Sequence, residues 1–286
     1  MMFCVRFVFI MMFSFSLYAE GSTIVLVAAK NSPVVNSLYK RLKQQAPNFI
    51  YSLSTEAVPI DIQSDDFVIL VGNETPSYFD ISRHSKSIAV LLSRSQAQTL
   101  NVKTSIWVEP PLNRQLTLAN IVVPGDTKMG LLVNGERDKR AQLTGLTAEQ
   151  QDMLKIVDVN DFSNLNQALF QVLKETKLLL GSYENTIYNA KNIKNILITS
   201  YRQQKVLIGP SRAFLKAGSF ATTYSDLNHI ALRIVDIVNA YQTTQQWIEA
   251  GYNPHYSIKF NLQVARSLNV PIMDTLQLKQ QMDDGD

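Results

Sequence analysis

The sequence predicts an α/β protein of parallel sheets, arranged as two lobes of similar construction. Three observations predict it. Short apolar runs rich in Val, Ile and Leu recur along the chain without apolar–polar alternation, as strands buried on both faces do. Amphipathic stretches of helical period separate them, long enough for the crossovers that parallel strands require. The strand–helix pairs are too many for one small sheet, and they divide into comparable runs, about Thr23 to Glu109 and Pro110 to Gly209. The pattern by itself also fits one long doubly wound sheet or an eight-stranded barrel.

The elements follow in order. TIVLVAA, Thr23 to Ala29, is a β-branched run that reads as a fully buried strand. Ser32 to Gln45 is a helix with Ser32 as N-cap and Pro33 at its first position, placing Val35, Leu38, Tyr39 and Leu42 on one face. Phe67 to Gly72 and Ser87 to Ser93 are strands, Ser93 to Leu100 a short helix, and Ser105 to Glu109 a strand stopped by Pro110-Pro111. The second half repeats the scheme: helix Asn113 to Val122, strand Met129 to Asn134, a strand in MLKIVDV, a helix in NLNQALFQVLKE and strand Thr176 to Ser182. NAKNIKNILITSYRQQ is a helix and Lys205 to Gly209 a strand, with a smaller strand at Ser219 to Thr223. A long helix from Asp226 to about Trp247, strand Tyr256 to Phe260 and helix NLQVARSL complete the pattern. The polar stretch Gly135 to Gln150 reads as a solvated loop, and the final QMDDGD as a frayed acidic tail.

The first 19 residues stand apart from this core. A weakly basic leader, Met1 to Arg6, precedes an apolar run, Phe7 to Leu17, that is too short to span a bilayer but suits a secretory signal cut after Ala19. The sole cysteine, Cys4, falls inside it, so the expected exported chain has no disulfide or thiol chemistry. The net charge of +3 is spread along the sequence without a run of Lys or Arg, which argues against nucleic acid or an anionic membrane surface as partner.

Reactive constellations are missing from the sequence. His84, His229 and His255 lack any metal-ligand spacing, and His229 within its helix reads as structural. No GxSxG elbow, phosphate loop or dinucleotide-binding glycine pattern is present, so neither an enzymatic reaction nor a cofactor is expected. Polar groups do recur just past strand ends, where open parallel sheets hold ligands. They are Asn31 and Ser32, Asn73 and Glu74, Ser93 and Ser95, Ser182 with Tyr183 and Glu184, and Ser211 with Arg212. Taken singly, Ser32 and Ser93 are better explained by capping than by binding. Glu184 and Arg212 have the charges to hold the ammonium and carboxylate of a zwitterion, with Tyr183 against its side chain; they also have the charges to pair with each other.

SIWVEPPLNRQLTLANIVVPGDTKMGLLV is similar to the part of ABC-transporter substrate-binding proteins in which a strand enters a Pro-x-x-x-Gln-Leu helix. The stretch from TKLLLGSYENTIYNA to VLIGPSRAFLKAGSFATTYSD and the closing IKFNLQVARSLNVPI resemble later segments of that family. The resemblance implies a type I periplasmic-binding fold: two Rossmann-like parallel-sheet lobes joined by a three-segment hinge. It implies a small ligand in the interlobe cleft, with aromatic amino-acid binders among the group, and no cofactor. The implied acceptor is a membrane ABC permease, or a membrane sensor, with the chain itself monomeric. On this pattern residues 20–109 and 211–255 form the N-terminal lobe, and residues 110–210 and 256–286 the C-terminal lobe. Gly209-Pro210 then turns the chain through the hinge, Ser211 and Arg212 face the cleft mouth, and Ser219 to Thr223 returns to the first sheet. The ligand-binding set expected is Asn31, Ser32, Asn73, Glu74, Ser93, Tyr183, Glu184, Ser211 and Arg212.

Overall fold

The computed structural model describes residues 23–284. The signal segment expected over residues 1–19 lies outside them. Two six-stranded sheets form the frame. The first is built from β1 (Thr23–Ala28), β2 (Ile50–Thr55), β3 (Phe67–Val71), β4 (Ser87–Leu92) and β5 (Thr104–Trp107). The second takes β6 (Met129–Val133), β7 (Leu154–Asp158), β8 (Leu178–Leu180), β9 (Val206–Ile208) and β10 (Ala221–Tyr224). The chain then gives β11 (Gly251–Tyr252) back to the first sheet and β12 (Ser257–Phe260) back to the second. The orders are β11-β5-β4-β3-β1-β2 and β12-β10-β9-β8-β6-β7. Neighbouring strands pair in parallel, except β10 with β12, which run antiparallel. This is the type I periplasmic-binding-protein-like architecture.

The apolar runs are continuous because both faces of each sheet are covered. Ile24 and Leu26 of β1 and Ile69 of β3 join Leu38, Leu42, Ile230 and Ile234 in one core, while Val25, Val27, Val68 and Leu70 point into another. In the second sheet Leu131, Leu178, Leu180 and Ile208 pack with Leu116 and Val122, and Leu132, Leu179 and Leu207 pack with Leu169, Val172 and Ile196. Successive residues therefore enter opposite cores, which leaves no polar face for the sequence to display.

Helix starts are set by side-chain caps. Ser32 Oγ accepts the Val35 N–H at 3.2 Å, with Pro33 at the first position of the helix Pro33–Gln45. The helix Leu227–Thr244 opens with a reciprocal pair: Asp226 accepts the His229 N–H at 3.1 Å, and His229 Nδ1 accepts the Asp226 N–H at 3.1 Å. His229 is structural, as its helical setting suggested.

Four features depart from the sequence expectation. Ile50–Thr55 is an edge strand whose mixed polarity hid it among its fully apolar neighbours. The stretch expected as a loop from Gly135 to Gln150 contains two helices, Gly135–Leu143 and Ala148–Asp152. Neither has a buried side chain, so no apolar periodicity marks them; Asp138 Oδ2 accepts the Asn134 N–H at 2.9 Å and Thr147 caps the second. Of the tail expected to fray, Gln281 to Asp283 belong to the helix Thr275–Asp283, where Met282 is 1% exposed and Asp283 accepts from Tyr256 Oη at 2.7 Å.

The fourth departure concerns the hinge. Residues 211–224 belong to the second sheet, whereas the sequence placed them in the N-terminal lobe. Ala221 pairs with Ile208 of β9, and β10 pairs along its length with β12. The Gly209 N–H donates to Ala221 O and the Phe220 N–H to Leu207 O, both at 2.8 Å. The segment is thus a strand–helix–strand crossover inside one lobe, carried by the short helix Arg212–Ala217. The crossings between sheets are 108–111, 225–226 and 253–256.

The tightness of that crossover has a testable consequence. A Cβ on Gly209 would lie 2.9 Å from Ser219 Cβ and 3.0 Å from Phe214 Cβ. Gly209→Ala should therefore lower stability by about 1–3 kcal/mol through overpacking, read as a lower urea midpoint with an unchanged slope.

Candidate functional site

A cleft of about 800 Å³ opens between the two sheets at the carboxyl ends of their strands. Residues following β4 and β5, with Tyr252 at the end of β11, line it from the first sheet, and residues following β6, β8 and β9 from the second. Parallel pairing produces this convergence: each strand ends on the same edge and hands over to a loop or helix N-terminus there.

Glu109, in the first crossing, is half-buried on the cleft wall. Its Oε1 accepts the Arg94 N–H at 2.6 Å, whereas Oε2 is buried and has no hydrogen-bond partner among the described residues. Burial pushes its carboxyl up, and the hydrogen bond from the Arg94 N–H opposes this in part. Beside it stands an aromatic assembly. The Arg94 guanidinium lies over the Trp107 ring at 5.2 Å, and Tyr252 meets Trp107 edge-on at 4.8 Å. Trp107 is oriented by its Nε1–H, which donates to Ser105 Oγ at 2.9 Å.

The opposite wall comes from the second sheet. Tyr183 is 37% exposed on the cleft; burial raises its phenol pKa, and the negative charge of Glu109 raises it further. Tyr252 responds in the same way to burial and then to Glu109, with Arg94 opposing. Two phenols, one from each lobe, therefore sense the same carboxylate. Ser182 is 4% exposed and its Oγ has no hydrogen-bond partner among the described residues. Asp138 is half-buried, which pushes its carboxyl up against hydrogen bonds from the Asn134 N–H and, at 3.2 Å, Gln142 Nε2. Arg137, on the same helix, is exposed and forms no ion pair among the described residues.

Gln115 clasps the floor. It is 1% exposed; Nε2 donates to Gly209 O at 2.8 Å, and Oε1 accepts from Thr223 N at 3.2 Å and Thr223 Oγ1 at 3.0 Å. One buried amide thus ties the helix Leu112–Val122 to the ends of β9 and β10, next to two of the crossings.

Of the residues expected at the site, Ser93, Tyr183 and Glu184 line the cleft. Ser93 is also the cap of the helix Arg94–Ala97, and Glu184 Oε1 accepts the Thr186 N–H at 2.8 Å. Asn31, Asn73 and Glu74 are exposed at the strand-end edge of the first sheet without lining the cleft, and Ser32 is occupied with its cap. Ser211 and Arg212 lie elsewhere, because their crossover stays inside the second lobe. Arg212 is exposed over the Tyr224 ring at 4.8 Å, in a separate shallow groove with Lys216 and Lys259. Glu184 and Arg212 therefore do not face one ligand. The residues missed are Arg94, Glu109, Asp138 and Gln115. Glu109 had a visible signal as a carboxylate at the end of a strand, just before Pro110-Pro111.

Among the described residues no group of three or more His, Cys, Asp or Glu side chains is placed to hold a metal ion, and no helix is long and apolar enough to cross a membrane.

This architecture recurs in solved structures. A ligand-free, open substrate-binding protein with adhesive properties from Clostridium difficile superposes with a TM-score of 0.64 at 11% identity, over 88% of this chain and 96% of that one. An ABC domain from Streptococcus pneumonia in complex with L-Trp gives a TM-score of 0.51 at 12% identity, over 91% and 98%. An arabinose-binding protein from Geobacillus stearothermophilus gives 0.51 at 8%, over 86% and 99%. No family model and no curated protein matches the sequence. Similarity at these identities defines the fold class, that of the two-lobed type I binding proteins.

Gln115→Leu should cost about 1–3 kcal/mol, since it strips a buried N–H and hydroxyl of their acceptor. Chemical denaturation monitored by tryptophan fluorescence reads the loss.

Proposed function

We propose that this chain is a periplasmic solute-binding protein that captures a small ligand between its lobes and presents it to a membrane ABC permease. The observation that carries the reading is the interlobe cleft with two buried, unpartnered oxygens on its walls, Glu109 Oε2 and Ser182 Oγ. Buried polar atoms are ordinarily satisfied. Here a ligand supplies the missing partners. The cleft volume falls in the range that holds small molecules. Its lining carries both signs of charge, with Arg94 and Arg137 against Glu109, Asp138 and Glu184, which suits a zwitterion of the amino-acid kind. The neighbour solved with L-Trp supports a ligand of that size.

The mechanism is physical and involves no covalent step. Open and closed arrangements of the lobes are in equilibrium, and a ligand touching both walls stabilises the closed one by its differential affinity. The three crossings at 108–111, 225–226 and 253–256 take up the rotation. A permease then distinguishes the loaded from the empty surface.

Thermal unfolding in the presence of single amino acids and sugars tests the reading. One ligand class at about 100 times its Kd should add about 2.7 kcal/mol of stability, and small-angle scattering should show contraction. No shift and no contraction across both classes would sink it. Export is tested on the protein recovered from the periplasm, whose N-terminus should be Glu20; recovery of the uncut chain in the cytosol would overturn that part.

A further inference from the structure

We infer that Glu109 is the counter-ion for a cationic nitrogen of the ligand, and that this ammonium, rather than any carboxylate, is the group the cleft requires. The inference rests on the binding-protein reading and deepens it. Glu109 has one oxygen tied to the Arg94 N–H and the other buried and unpartnered. The remaining oxygen can be satisfied by any donor, but a charged donor gains most there. Charge–charge attraction at a given distance is about fourfold stronger at an effective dielectric of 20 than in water.

The surroundings of Glu109 also favour a cation. Tyr183 from the second lobe and Tyr252 from the first both sense its charge. Tyr183 and Tyr252 line the same cleft as Glu109, and aromatic rings there attract cations.

The complementary positions for a carboxylate are weaker. Arg94 already lies over Trp107 and reaches Tyr252, so it offers only its unused edge. Arg137 is exposed on a helix with no buried side chain, where water screens its charge. Selectivity therefore concentrates at the buried carboxylate. A ligand lacking a carboxylate loses little, and a ligand lacking the ammonium loses most of its affinity.

The charged groups facing Glu109 set the sign of the pH response. Arg94 faces it from the helix Arg94–Ala97, Tyr183 and Tyr252 face it from the two walls, and Asp138 lies on the far wall. Burial raises the free carboxyl, and a bound ammonium favours its ionised form, so binding releases protons. Affinity for an amine accordingly falls as pH drops through the Glu109 titration.

Isothermal titration with matched probes tests this: L-tryptophan, tryptamine and indole-3-propionate; L-leucine, isoamylamine and 4-methylvalerate; and L-arabinose. Within at least one matched set the amino acid and the amine should bind within about tenfold of each other while the deaminated acid binds on the order of 100-fold more weakly. Glu109→Gln retains an acceptor for the Arg94 N–H and should keep the melting temperature of the free protein or raise it. The variant should lose on the order of 100-fold in amine affinity together with most of its pH dependence. Binding of a deaminated acid or of arabinose with affinity equal to the amine, or undiminished in Glu109→Gln, overturns the assignment while leaving the binding-protein reading intact. Binding of none of the probes by the folded protein overturns the assignment, and loss of the broader reading needs the further absence of any shift in the amino-acid and sugar panel.

Discussion

The structure depends on parallel strand pairing in sheets buried on both faces. Because the strands run the same way, their carboxyl ends gather on one edge of each sheet, and the backbone there leaves regular hydrogen bonding. Because helices cover both faces, the edge is the place left for polar chemistry. Facing the two edges toward each other produces the cleft. The positions of Glu109 after β5, Ser182 and Tyr183 after β8, and Tyr252 at the end of β11 all follow from that single constraint.

The crossings between lobes are short, and their neighbours are held by buried polar contacts. Gln115 joins the start of the helix after the first crossing to Gly209 and Thr223. Arg114 donates to Asn253 O at 3.0 Å and lies over the Tyr256 ring at 4.0 Å, tying that helix to the third crossing. Ser225 Oγ donates to His255 O at 2.7 Å, linking the second crossing to the third. Directional contacts of this kind fix how the crossings sit on the second lobe.

Charge at the cleft is distributed unevenly in dielectric terms. Glu109 is half-buried, with its Oε2 buried and half of its acceptor capacity unused, whereas Arg137 is exposed. Equal formal charges therefore carry unequal electrostatic weight within the cleft. The aromatic assembly of Trp107, Tyr252 and Arg94 stiffens one wall. The opposite wall is carried partly by the helix Gly135–Leu143, which has no buried side chain and lies lightly on its sheet.

The sequence by itself determined the strand–helix alternation, most element positions and the capping of Pro33–Gln45, because these rest on local pattern: β-branched runs, helical period, and Ser or Asp before a helix. The sequence also marked the strand ends as the polar positions, including Ser93, Tyr183 and Glu184, which line the cleft. It could not reveal the helices Gly135–Leu143 and Ala148–Asp152, which have no fully buried side chain and so leave no clear periodic trace. Nor could it decide which sheet receives Ala221–Tyr224. A strand–helix–strand stretch reads alike whether it stays in one sheet or crosses to another, and only the pairing of Ala221 with Ile208 distinguishes them. That choice moved Arg212 away from the cleft, where Arg94 and Glu109 are among the charged groups that line it. Tertiary structure decides such matters because a strand end becomes part of a site only through the strands and lobe that face it.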